Sequence, residues 1–242
     1  FADFTAQVIM FCLLFAHRVI CSSEDTPTQK AEKIRSYAYN DVADGEALLP
    51  FRNLMVYLRD HAGDGMFIGQ WVDECIAFLS FVQQLQNPDY HRLFELFFNK
   101  FDKQARFDYG AFYTPKLLAE FVVRFVGKVV ADHFDGATIY DDGNTIIDPC
   151  CGTGSFLEQI VAHDEGDGAY NLCGFEILPA PYMLANYRMS LVEQHYRKQN
   201  LHPSIILANT LSNYLLNDDA NASSIEGQEL IRAKELSSRP LK

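Results

Sequence analysis

The sequence predicts an α/β protein: a parallel sheet flanked by helices, preceded by a helical subdomain. Three observations carry this. From about residue 110 the apolar pattern alternates between helical and strand spacing, which implies parallel strands joined by crossover helices. A glycine turn, Asp148-Pro149-Cys150-Cys151-Gly152-Thr153-Gly154, joins a short β-branched stretch to a helix. The first 106 residues read as a series of helices without a repeat.

Taken in order, helices are predicted over about 2–20, 28–44, 46–60 and 70–85. The apolar run Val8 to Ala16 is shorter than the ~20 residues that span a bilayer, so it reads as a buried helix. It lacks the basic flank and small-residue cleavage pattern of a signal peptide. The 89–103 run carries Leu93, Phe94, Leu96, Phe97, Phe98 and Phe101 at helical spacing, which reads as core rather than as a base-stacking platform. A helix pair flanks Phe107. Thereafter the reading is helix 115–132, strand 144–148, helix 154–163, strand 171–176, helix 179–199 and strand 203–208. Thr145 to Ile147 is expected to be a buried strand.

The glycine turn is the most informative segment. Gly152 and Gly154 let the backbone bend sharply and approach a ligand with no Cβ in the way. The helix starting near Ser155 directs its free N–H groups into the same space. The turn has no Lys-Ser/Thr pair to hold a triphosphate, and no third glycine completes a dinucleotide fingerprint. Asp148 at the strand end disfavours a phosphate and suits a ligand with a cationic part, which points to S-adenosylmethionine rather than NAD or ATP. About 20 residues on, Leu172-Cys173-Gly174-Phe175-Glu176-Ile177 closes a second strand. Glu176 there can accept hydrogen bonds from both ribose hydroxyls, and Ile177 can cover one face of an adenine. Upstream, Pro115 suits the first turn of a helix and Thr114 its N-cap, so that Thr114 and the adjacent N–H groups could face a carboxylate. The helix they head has apolar residues at Leu117, Leu118, Phe121, Val122, Phe125, Val126, Val129 and Val130.

Tyr113-Thr114-Pro115, then Asp148-Pro149-x-x-Gly152-x-Gly154-x-Phe156-Leu157, then Gly174-x-Glu176, resembles the ordered motifs of amino-methyltransferases that methylate the N6 of adenine in DNA, in the gamma order. Phe1 to Gln7 with Leu14 to Arg18, and Leu93-Phe94-Glu95-x-Phe97 before Phe101-Asp102-Lys103-x-x-Arg106, resemble the helical lead-in of the large type IIG and type ISP restriction-modification enzymes. The resemblance implies a partial, Rossmann-like S-adenosylmethionine-dependent methyltransferase core. Asp148, Cys150, Gly152 and Gly154 would line the methionine end of the cofactor, with Asp148 near its amino group, and Pro149 would be a further cofactor-binding residue. Phe156 would flank the adenine, Glu176 would bind the ribose with Ile177 beside it, and Tyr113, Thr114 and Pro115 would meet the methionine carboxylate. Ala208-Asn209-Thr210-Leu211 stands where the family has Gly-Asp-Ser/Thr-Leu, so Asn209 would bond the adenine's exocyclic amine without a charge. The implied domains are a helical subdomain over 1–106, an incomplete cofactor-binding core over 107–216, and a polar linker or short helix over 217–242.

The family's catalytic Asn/Asp-Pro-Pro-Tyr/Phe does not occur in this sequence. That motif accepts hydrogen bonds from the target amine and stacks on an extruded adenine. Together with a first residue that is Phe1, its absence implies a piece of a longer polypeptide, inactive alone. The other readings are a non-catalytic cofactor-binding or assembly module, and a methyltransferase acting on a protein glutamine or on RNA.

A formal charge of −12 argues against duplex binding by this chain alone, so DNA would be met by regions outside it. Six cysteines without a C-x-x-C pair imply neither a zinc site nor a disulfide framework, but reduced core thiols in a cytoplasmic protein. No metal is required. His163, His195 and His202 read as structural.

Overall fold

The computed structural model describes residues 6, 9, 10, 12–14, 16, 17, 20–39, 67–82, 114–166, 169–196, 201 and 203–211. The helices expected at 46–60, at 89–103 and around Phe107, and the boundaries expected near 106 and 216, lie outside the described residues. The chain divides into two compact units, Phe1–Pro88 and Asp89–Lys242.

In the first unit the described positions between 6 and 20 are helical, followed by α1 (Pro27–Tyr39) and α2 (Phe67–Phe81). The start of α1 is written in its sequence. Thr26 Oγ1 accepts the Gln29 N–H at 3.3 Å, and Gln29 Oε1 accepts the Thr26 N–H at 2.9 Å, a reciprocal capping box with Pro27 at the first helical position. Ile9, Leu13, Ile34, Val72 and Ile76 are buried and supply the apolar stripe through which such helices pack. The carbonyl of Val82, just past α2, lies 3.3 Å from His17 Nε2 and 3.5 Å from Lys30 Nζ. A cation there complements the negative end of the helix dipole.

The second unit has the expected α/β order: α3 (Lys116–His133), β1 (Thr145–Asp148), α4 (Ser155–Ala162), β2 (Asn171–Glu176), α5 (Pro179–Tyr196) and β3 (Ser204–Leu207). Both strand pairs are parallel, in the order β1-β2-β3. The register sets Asp148 opposite Gly174 and Glu176 opposite Leu207, so the carboxyl ends of the strands bring the singled-out residues to one edge. α5 packs on β2 and β3 and is buried at every position from Ala180 to Met189, as a helix apolar on most sides must be.

Gly174 sits at the centre of this packing. A Cβ there would lie 2.8 Å from Leu157 Cδ1, 2.9 Å from Cys151 Sγ and 3.0 Å from Ile205 Cδ1. Helix α4, the glycine turn and β3 therefore close over a position where an added methyl group would have to push side-chain ends aside.

Two expectations are corrected. β1 is not buried: Thr145 and Ile147 are exposed, and Ile147 keeps 56 % of its surface. The β-branched run forms the strand, but β1 ends the strand order, and among the described residues only β2 pairs with it. Secondly, the N-cap of α3 is Pro115 rather than Thr114, and no side chain caps the helix. Pro115 has φ −57° with an extended ψ of 138°, so its carbonyl receives the Leu118 and Ala119 N–H groups while its own backbone stays outside the helix. α3 also leaves apolar surface open. Ala119 and Val123 are buried, whereas Leu117, Phe121 and Phe125 are 79, 64 and 58 % exposed, with the two phenylalanine rings stacked at 6.1 Å. No helix among the described residues is long and apolar enough to cross a membrane.

Candidate cofactor site

Asp148 ends β1 and turns back on the chain that follows it. Its Oδ1 accepts the Cys150 N–H at 3.1 Å, while Oδ2 is buried with no hydrogen-bond partner among the described residues. Burial pushes the Asp148 carboxyl above the usual range, and the Cys150 N–H pulls partly the other way. A carboxylate oxygen shielded from water and left unpaired is costly unless a donor or cation meets it.

The turn itself is held at both ends. The Cys151 N–H donates to the Phe175 carbonyl at 2.8 Å, tying the turn to β2, and the Gly154 N–H donates to the Cys151 carbonyl at 2.8 Å. Gly152 (φ 55°) and Gly154 (φ 80°) take left-handed conformations that a side chain would strain, and Gly154 is the N-cap of α4. A Cβ on Gly152 would meet no atom of the described residues within 4 Å, so among them open space lies against the turn at that point.

Glu176 is buried at the end of β2. Its Oε1 accepts the Leu178 N–H at 2.7 Å, and the N–H groups of Gly152 and Ile177 also bear on its carboxylate. Burial raises its pKa, those N–H groups oppose the rise, and the Asp148 charge adds to it. The buried Cys151 thiol is pushed well up by burial and by the same two carboxylates. Two acidic groups with little access to water thus share one turn, an arrangement that attracts a cation.

The third strand joins in through its loop. Thr210 Oγ1 donates to the Pro149 carbonyl at 3.1 Å, and the Ala208 N–H donates to the Glu176 carbonyl at 2.9 Å. Asn209 is exposed there, and its side-chain oxygen accepts the Leu211 N–H at 3.0 Å, so the atom expected to serve an adenine amine already has a donor. Ile177 keeps 42 % of its surface as an open apolar flank. Phe156 is half-buried in the first turn of α4, and Pro149 and Cys150 are exposed.

Hydrogen bonds and register therefore bring Asp148, Pro149, Cys150, Gly152, Gly154, Glu176 and Asn209 together. Thr114 and Pro115 have no hydrogen bond to this group among the described residues, and Tyr113 lies outside them. Cys150 departs from the expectation of core thiols: it is exposed, whereas Cys12, Cys21, Cys151 and Cys173 are buried and Cys75 is half-buried, and none of the six is in a disulfide. His163 is structural: its Nδ1 lies 2.9 Å from the Gln159 carbonyl and its Nε2 3.5 Å from Glu120 on α3. The side chains of His195 and His202 lie outside the described residues. A separate cavity of about 650 Å³, lined by Tyr140, Asp141, Asp142, His163, Asp164 and Glu165 among others, shares no residue with the turn.

One feature had no local signal. Arg188, buried on α5, donates from Nη1 to the Thr153 carbonyl at 2.5 Å and lies 3.3 Å from Thr153 Oγ1 and 3.5 Å from Ser155 Oγ. Its Nη2 pairs with Glu158 on α4. The partners stand about 30 residues apart on different helices, beyond the reach of any helical or strand period.

The residues present suit S-adenosylmethionine: an unpaired buried carboxylate oxygen for an ammonium group, an open glycine turn, and an acidic residue with an apolar neighbour at the next strand end. Comparison with solved structures finds the same fold in much larger proteins. A structure titled as a cryoEM DrdV-DNA complex is 19 % identical with a TM-score of 0.55, over 99 % of this chain and 23 % of that one. A nuclease-deletion mutant of the Type ISP restriction-modification enzyme LlaGI, in complex with a DNA substrate mimic, is 16 % identical with a TM-score of 0.54, over 100 % of this chain and 22 % of that one. The chain thus spans less than a quarter of the length of either. No curated protein matches it. The family model of the N-6 DNA methylases matches residues 88–226, a stretch that contains every element of the sheet and the whole glycine turn, and on that match over more than half its length the chain belongs to the N-6 DNA Methylase family.

Proposed function

We propose that this chain is the S-adenosylmethionine-holding part of a DNA methyltransferase that modifies the N6 of adenine within a restriction-modification polypeptide. The observation that carries the reading is the buried Oδ2 of Asp148, without a hydrogen-bond partner among the described residues, beside the glycine turn and one strand away from Glu176. Membership of the N-6 DNA methylases supports the chemistry, and the two DNA-complexed structures with this fold support the setting.

In this reading Asp148 receives the ammonium group of the methionine moiety, and poor access to water strengthens the attraction between the two charges. The backbone of Gly152 and Gly154 lies against the ligand. Glu176 meets the ribose while keeping its bond to Leu178, and Ile177 and Phe156 bracket the adenine of the cofactor. When bound, the cofactor supplies an electrophilic methyl group to an amine. The protein's part is to hold that group in line with its acceptor and to exclude water, which is positioning chemistry. No residue of this chain is assigned to the target base: Asn-Pro-Pro-Tyr/Phe is not in the sequence, and a charge of −12 repels a phosphate backbone.

Calorimetry with S-adenosylmethionine and S-adenosylhomocysteine tests the first half of the reading. Binding of both, weak to moderate, is expected, and the absence of heat and of thermal stabilisation at millimolar ligand would overturn it. A labelled-methyl transfer assay on mixed-sequence DNA tests the second half. Transfer is expected only from a longer polypeptide that carries an Asn-Pro-Pro-Tyr/Phe motif and a recognition domain. A short chain as active as the long one would refute the division of labour, and a long chain that binds cofactor yet methylates only protein or RNA would redirect the substrate.

A further inference from the structure

Arg188 occupies an electrostatically poor position. Its guanidinium lies at the N-terminus of α4, where unpaired N–H groups give the helix its positive end and cations are disfavoured. Glu158, which is partly exposed, offsets that charge, but ion pairs that lie partly or wholly out of water often add little net stability. Stability alone therefore explains the pair poorly.

What the guanidinium does is geometric. Its contacts fall on both sides of Gly154: the Thr153 carbonyl and hydroxyl before it, Ser155 Oγ and Glu158 after it. The peptide joining Thr153 to Gly154 is planar, so drawing its carbonyl towards α5 sends its N–H the opposite way. That N–H is the one that closes the turn on the Cys151 carbonyl at 2.8 Å. A fork of fixed donors can set such a plane, whereas a single ammonium cannot. With φ of 55° at Gly152 and 80° at Gly154, no Cβ at either glycine restrains the peptides that flank Thr153.

We propose that Arg188, braced by Glu158, is a positioning residue that presets the glycine turn for its ligand by locking the Thr153–Gly154 peptide plane. This rests on the cofactor reading above for its consequence, though not for its geometry. The test compares Arg188→Met, Arg188→Lys and Glu158→Gln with the unmodified chain in two measurements: hydrogen exchange of the segment around Gly154, and affinity for S-adenosylhomocysteine. Arg188→Met should speed exchange at the turn while leaving α1 and α2 unchanged, and weaken binding roughly tenfold because the turn must then be ordered on binding. Arg188→Lys should not rescue either measurement. Glu158→Gln, at a partly exposed position that the fold tolerates, should move both in the same direction by less, and it decides the matter if the Arg188 variants do not fold.

Unchanged exchange at the turn in both Arg188→Met and Glu158→Gln would overturn the proposal, as would full rescue by lysine. If the unmodified chain fails to bind S-adenosylhomocysteine, the cofactor reading falls. The exchange measurement still decides whether Arg188 holds the turn.

Discussion

Replacing Asp148 with asparagine should move stability and ligand affinity in opposite directions. The side-chain oxygen of the introduced asparagine can still accept the Cys150 N–H that Oδ1 accepts at 3.1 Å, so the local turn survives. At the buried Oδ2 position an NH2 group replaces an unpaired anionic oxygen. In the free protein this removes a charge whose burial is unfavourable, so the melting temperature at neutral pH should hold or rise. In the complex it removes the acceptor for an ammonium group, a charge-assisted bond worth about 1.5–3 kcal/mol, so Kd should rise by roughly 10- to 150-fold. The pH dependence follows from the raised pKa of the folded state. In the free protein the Asp148 contribution to stability is greatest below its unfolded value of 3.8 and declines as pH rises through the higher folded value. Binding needs the carboxylate, so affinity should fall as pH drops into that window, and Asp148→Asn should lose its share of the fall. Isothermal titration with S-adenosylhomocysteine from near the unfolded value of 3.8 up to neutral pH, paired with thermal melts, reads both effects. An asparagine variant that binds as tightly as the parent, or whose weaker binding tracks a lower melting temperature, would refute the assignment.

Glu176→Ala should cost about 1–3 kcal/mol in binding, and a similar amount in stability because the buried Leu178 N–H loses its acceptor; Glu176→Gln, which keeps an acceptor, should recover most of the stability but not the affinity in the same assays. Gly174→Ala should destabilise the second unit by about 1–3 kcal/mol, since its methyl group would lie within 3.0 Å of three neighbours, and a thermal melt by circular dichroism showing no loss would contradict the packing described. Among the four buried thiols and exposed Cys150, a thiol reagent under native conditions should label Cys150, and S-adenosylhomocysteine should slow that labelling; mass spectrometry of the labelled peptides checks both points.

The α/β order was legible because its signals are local. Strand 171–176 agrees residue for residue with the structure, and α3, β1, α4 and β3 differ by a single residue at each end or less. Glycines at positive φ, β-branched runs and helical spacing each act within a few residues, and they suffice to place a turn between β1 and α4. Burial was less legible, because it depends on what lies alongside: Thr145-Ile146-Ile147 has the composition of an inner strand, yet among the described residues only β2 lies beside it. In the candidate site the residues grouped by one turn and two strand ends could be named, since register brings Asp148 and Glu176 together. Their existing partners could not. The Leu178 N–H on Glu176 and the Leu211 N–H on Asn209 are properties of the folded loop, and the Arg188–Glu158 pair joins two helices across a distance in sequence that no period reports.

The crowding around Gly174 has a consequence for how this site can vary. The turn through Cys151, the helix through Leu157 and the strand through Ile205 each fill part of one missing side chain, so the four positions must exchange volume. A methyl group gained at 174 should be tolerated once Cys151→Ala or Ile205→Val has given up comparable space, and the paired changes should be markedly non-additive. Related sequences should therefore drift at these positions jointly, with the size of the residue two before Glu176 written into the size of the residue three after Asp148. The shape offered to a ligand is thus partly inherited from a strand position that never meets it.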